Sequence, residues 1–122
     1  MKPVHIEFVP ETQKANQIAD YGEVGTHVWF RITDFPGKPM YAVACLIHEI
    51  FEFYMNQELG VSVQSVDDFD EANKDHDDPG MLPDAPYHLS HCRADALERT
   101  AIALAGEDWA EYDSAVKELF ND

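Results

Sequence analysis

The chain has 122 residues, with 24 Asp and Glu against 8 Lys and Arg, for a formal net charge of −16. That length fits one domain spanning residues 1–122, and an apolar share of 45% argues against wholesale disorder. The charge excludes unaided binding to nucleic acid, because an acidic surface repels phosphate. No apolar run reaches the ~18–20 residues that a membrane span needs.

The first residues, Met1-Lys2-Pro3-Val4-His5, lack the apolar stretch of a signal peptide, so a cytoplasmic protein is expected. Cys45 and Cys92 are too few for a disulfide scaffold. Val4 to Val9 alternates apolar and polar residues and predicts a strand, ended by Pro10. Residues 11–25 are polar and glycine-bearing and read as loop. Thr26 to Thr33 is β-branched and aromatic, with Val28, Phe30 and Ile32 on one face, and predicts a second strand. Residues 34–39 form a turn cluster.

The rest reads as helical. Met40 to Leu59 has no proline or glycine, and Gly60 supplies a stop. Ser65 can cap a short acidic helix from Val66 to Lys74, with Asp68 at the reciprocal position. Asp75 to Pro86 carries three prolines and a glycine and reads as loop. A third helix is expected over Tyr87 to Ala105, closed by Gly106. Asp108 and Glu111 resemble a capping box for a last helix, whose stripe Trp109, Tyr112, Val116, Leu119 and Phe120 reads as core packing. Two or three short strands packed against about four helices make a small α+β domain.

The chemistry is concentrated in Tyr41 to Met55. This helix is apolar nearly all round, yet it carries His48, Glu49 and Glu52 in its middle. A buried charge is expensive unless it is paired or bound to metal. His48 and Glu52 are four residues apart and share a face. The spacing is that of H-E-x-x-H helices, which bind zinc through positions 1 and 5 while the glutamate polarises a water. Glu52 stands at position 5, and a carboxylate is a legitimate zinc ligand. The plainer alternative is a solvated Glu49, a Glu52 paired with arginine and a hydrogen-bonded His48. Ile47, Ile50, Phe51 and Phe53 around them argue against a solvated face.

A second cluster, His88, His91, Asp95 and Glu98, lines one side of the third helix at spacings of three and four. His91, flanked by Cys92 and Ala94, reads as a ligand. His88 reads better as exposed polar surface, and Asp95 can pair with Arg99. The acidic run from Asp67 to Asp78 reads as solvated surface, except that Phe69 could dock its helix and bring Asp70 near the metal. Both cysteines read as buried and reduced.

The segments Ala44 to Glu52, Val66 to Asp70, Asp77 to Gly80 and Ala85 to His88, with His91, Ala94, Glu98 and Asp108 to Tyr112, resemble a small group of zincin-like, metallopeptidase-like proteins of bacteriophages and prophages. The resemblance implies a minimal zincin core, a strand beside a metal-bearing helix. Glu52 in place of the second histidine bears on peptidase activity more than on metal binding.

The leading expectation is a zinc- or other divalent-metal-dependent hydrolase acting on a peptide or protein substrate. His48, Glu52 and His91 are the expected metal ligands and Glu49 the general base, with Asp70 and Glu98 as orienting groups or alternative ligands. His88 and Asp95 remain further candidates. The Val28-Trp29-Phe30 strand would align an extended peptide by edge pairing. One rival is a di-metal carboxylate site using Glu49, Glu52, His91 and Glu98. Another is a non-enzymatic acidic phage protein that binds a basic host partner through its charge.

Overall fold

The structure, a computed structural model, describes residues 1–10 and 19–121, without the side chains of residues 19, 20, 120 and 121. It is α+β: strands β1 (Val4–Val9), β2 (Ala19–Val24) and β3 (His27–Thr33), then helices α1 (Pro39–Glu58), α2 (Val63–Ala72), α3 (His88–Leu104) and α4 (Trp109–Asn121). The sheet order is β1-β3-β2, with β1 parallel and β2 antiparallel to β3. No described helix is long and apolar enough to cross a membrane.

The expected loop over residues 11–25 is corrected by β2. Its register pairs Val24 with His27, which leaves Gly25 and Thr26 as a two-residue hairpin loop. Gly25 has φ +58°, which such tight turns require and side-chain-bearing residues resist. The remainder of that expectation, residues 11–18, lies outside the described residues. The hairpin also displaces β3 from its expected role. With neighbours on both sides, β3 has no free edge, and among the described residues β2 is the edge strand that approaches α1.

Val28, Phe30 and Ile32 point to one face of the sheet and are buried under α1. Phe30, Phe53 and Tyr21 meet edge to face, with ring centroids 5.4–6.3 Å apart. The opposite side of α1 packs on α3. A helix held between a sheet and another helix has little solvent face, which explains its nearly continuous apolar sequence. Val4, Ile6 and Phe8 share the core-facing side of β1, yet they stay about half exposed.

The helix bounds follow local chemistry. Pro39 begins α1 instead of ending the turn before it, since the missing N–H costs nothing at a first helical position. Gly60 and Gly106, with φ +74° and +73°, follow α1 and α3 as expected. The cap of α2 is Ser62, not Ser65: the Ser65 amide donates to the Ser62 hydroxyl at 3.1 Å, and the helix begins at Val63. Asp108 caps α4 by accepting from the Glu111 amide at 3.0 Å. Trp109, Tyr112, Val116 and Leu119 pack against the core as expected; the Phe120 side chain lies outside the described residues.

Candidate metal centre

α1 and α3 each bring histidine and carboxylate to their shared side. His48 and Glu52, one turn apart on α1, are 7% and 5% exposed. His91 comes from the first turn of α3. Glu52 Oε2 lies 2.9 Å from His48 Nε2 and 2.9 Å from His91 Nδ1, and the two nitrogens are 3.3 Å apart. Three atoms of metal-ligand type therefore make a compact triangle. A point about 2.1 Å from all three atoms exists above that triangle, which is the zinc–ligand distance for imidazole and carboxylate. Two histidines and one glutamate are also a donor set that leaves a fourth position open in hydrolytic zinc sites.

Each corner is held from behind. His48 Nδ1 meets Glu98 Oε1 at 2.7 Å, and His91 Nε2 meets Asp78 Oδ1 at 2.9 Å. Glu98 in turn accepts from the Tyr112 hydroxyl, which is also 3.1 Å from Cys45 Sγ. Tyr21, on β2, donates to Glu52 Oε1 at 3.0 Å. Histidine ligands commonly have a carboxylate at their second nitrogen, which fixes the ring and raises its basicity. Here Glu98 and Asp78 stand at those positions at ion-pair distance. Gly80 closes the arrangement. A Cβ there would lie 2.5 Å from the His91 ring, so only glycine lets the loop backbone rest against it.

The electrostatics follow from this packing. Ionised carboxylates only accept hydrogen bonds, so without a metal the two nitrogens that bond Glu52, His48 Nε2 and His91 Nδ1, are the donors. Glu98 and Asp78 face the other two nitrogens as ion-pair contacts, and His48 Nδ1 makes no aligned hydrogen bond. Burial opposes charge on His48, but the Glu52 and Glu98 carboxylates at its two nitrogens outweigh it and push its pKa up to about 11. Burial likewise opposes charge on His91, and Asp78 and Glu52 raise it to about 9. Burial would raise Glu52, yet the two histidines bring it down to about 2. Tyr21 is pushed far above the usual phenol range by burial and by the Glu52 charge, so it stays a donor.

A second group, His48, Asp95 and Glu98, also has ligand-type atoms within 4.8 Å of one another. Its oxygens have other partners: Asp95 pairs with Arg99 at 3.0 Å and Glu98 accepts from Tyr112. With these bonds made, Glu98 suits orienting His48 better than holding a second ion.

Of the residues singled out from sequence, the structure brings His48, Glu52 and His91 together. Glu98 stands directly behind His48, and Glu49 lines the same cleft. Asp70 also lines it and accepts from the Tyr87 hydroxyl; it belongs to neither ligand group. His88 is turned away, with Nδ1 3.0 Å from the Gly80 carbonyl oxygen and its ring near Cys92. Cys45 is buried and reduced, and Cys92 is only half-buried.

Asp78, Tyr21 and Tyr112 were missed. The hairpin signal of Gly25-Thr26 before a β-branched run could have recovered Tyr21. Nothing local separates Asp78 from its acidic neighbours, and treating their run as solvated surface hid it. Tyr112 was assigned to core packing; it does pack there, and its hydroxyl also reaches the site.

Comparison with known protein families, with curated proteins and with solved structures finds no match. The fold and site therefore describe the chain by themselves: an α+β protein with a His-Glu-His cluster that could hold a metal ion.

Proposed function

We propose that the chain is a zincin-like metalloprotein that holds one zinc or other divalent ion and hydrolyses a peptide or amide bond. The observation that carries this reading is the convergence of His48 Nε2, Glu52 Oε2 and His91 Nδ1 on one small triangle, with a carboxylate behind each imidazole. An ion held there would act as a Lewis acid toward a carbonyl and lower the pKa of a water. Glu49 follows His48 directly and lines the cleft, a position from which it takes the water's proton and returns it to the leaving nitrogen. Glu98 and Asp78 hold the imidazoles in the tautomers that ligation needs. The edge strand β2 passes Tyr21 beside Glu52, so an extended peptide pairing with β2 would run past the site.

Glu49→Gln separates binding from chemistry. Zinc content should match the wild type, while amide hydrolysis of a casein or mixed-peptide substrate should fall by about 100-fold or more, the usual weight of a general base. Hydrolysis that persists in Glu49→Gln while vanishing with chelator would remove Glu49 from the mechanism. Absence of zinc in both proteins would remove the metal.

A further inference from the structure

The metal centre forms one wall of a cleft of about 380 Å³. Besides Glu49, Glu52, Asp78 and Glu98, the cleft is lined by Asp67, Asp70, Asp77, Asp95 and Asp113, against a single lysine, Lys117. Lys117 is already paired with Asp113 at 2.8 Å, and Asp95 is paired with Arg99. The two histidines answer Glu52, Glu98 and Asp78. Asp67, Asp70 and Asp77 make no ion pair with a cationic side chain among the described residues. One divalent ion at the triangle would still leave the cleft strongly negative. Such a concave surface focuses its field into the space a ligand must enter.

We infer that the ligand of this cleft is a polypeptide segment carrying lysine or arginine, with its basic side chains against Asp67, Asp70 and Asp77 and its main chain presented to the His48-Glu52-His91 centre. The inference rests on the proposed hydrolytic reading and supplies its substrate class. Burial and the neighbouring Asp68 raise the Asp67 carboxyl, and burial raises that of Asp70 despite its Tyr87 hydrogen bond and the more distant His91 charge. A cationic side chain entering the cleft would add a directly paired charge. Phosphate-bearing ligands are repelled by the same field.

The test uses fluorescence anisotropy with zinc-treated protein at physiological salt. The probes are labelled peptides of equal length, one with lysine and arginine and one with glutamine in their place. Two double variants remove equal charge: Asp67→Asn/Asp77→Asn in the cleft, and Glu58→Gln/Glu118→Gln at exposed positions outside it. The wild type should bind the basic peptide and not the neutral one. Affinity should fall about tenfold in the cleft variant and stay unchanged in the other. Equal losses in both variants, or equal binding of both peptides, would overturn the inference. So would spermine binding as tightly as the basic peptide, which would make the polypeptide irrelevant. Zinc content, measured on the same samples, tests the metal reading separately, since these anisotropy arms give their answer whether or not zinc is retained.

Discussion

Glu52→Ala should destabilise the chelator-treated protein by about 3 kcal/mol, the scale for removing one partner from a buried charged pair. Among the described residues Glu52 is the only carboxylate that both imidazoles share, and its loss leaves His48 and His91 with donors 3.3 Å apart and no anion between them. Linkage fixes where the effect is largest. The His48 pKa is raised from its ordinary 6.5 to about 11, so its contribution is complete below pH 6.5 and is lost as pH rises through about 11. The Glu52 pKa is lowered from 4.5 to about 2, so its contribution is complete above pH 4.5 and is lost as pH falls through about 2. Both are complete together only between pH 4.5 and 6.5. Urea midpoints in that window should separate wild type from variant most clearly. Glu52→Gln, which keeps an acceptor for Tyr21, should recover only a minor part of the loss. Midpoints equal to the wild type in both variants would show that the triangle does not act as a charged unit.

Zinc affinity should rise steeply with pH. In the metal-free protein both imidazoles carry a proton on the nitrogen that faces the triangle, and ligation must expel both. Glu52, ionised from about pH 2 upward, releases none. Two displaced protons make the apparent affinity climb by up to about 100-fold per pH unit through the neutral range. The slope should ease above about pH 9, where His91 loses its proton unaided. Competition titrations against a chelator of known affinity read this slope directly. A flat profile would mean that at least one imidazole already faces the triangle unprotonated.

Much of the centre was legible because α1 violates its own pattern. A helix with Ile47, Ile50, Phe51 and Phe53 around His48 and Glu52 must pair or ligate those groups, and the four-residue spacing puts them on one face. His91 followed from similar reasoning on α3. The supporting groups were harder to see because their roles are set by contacts distant in sequence. Asp78 earns its place only through the loop that folds Gly80 against His91, and Tyr21 only through a hairpin that makes β2 an edge. The central position of β3 was likewise invisible until β2 was recognised, and with it the edge proposed for peptide pairing moves to β2. Helix bounds moved most at α2, where two serines competed: Ser62 and Ser65 are both plausible caps, and Val63 entering the helix decides between them, while the helix ends at Ala72, short of the expected Lys74.

The charge of −16 also has a local meaning. Within the cleft, neutralising groups go to Asp95, Asp113 and the carboxylates around the two histidines, while the acidic run read as surface contributes Asp67, Asp77 and Asp78 to the wall beside Asp70, which was expected near the site.

The most direct measurement is zinc-edge X-ray absorption on chelator-stripped protein reloaded at about pH 8, where proton competition is weaker. The expected result is one ion per chain, with two imidazole nitrogens and one carboxylate oxygen at about 2.0–2.2 Å, and loss of that signature in His91→Ala. A spectrum of oxygen neighbours alone, unchanged by His91→Ala, would place the ion on the acidic surface and contradict the centre.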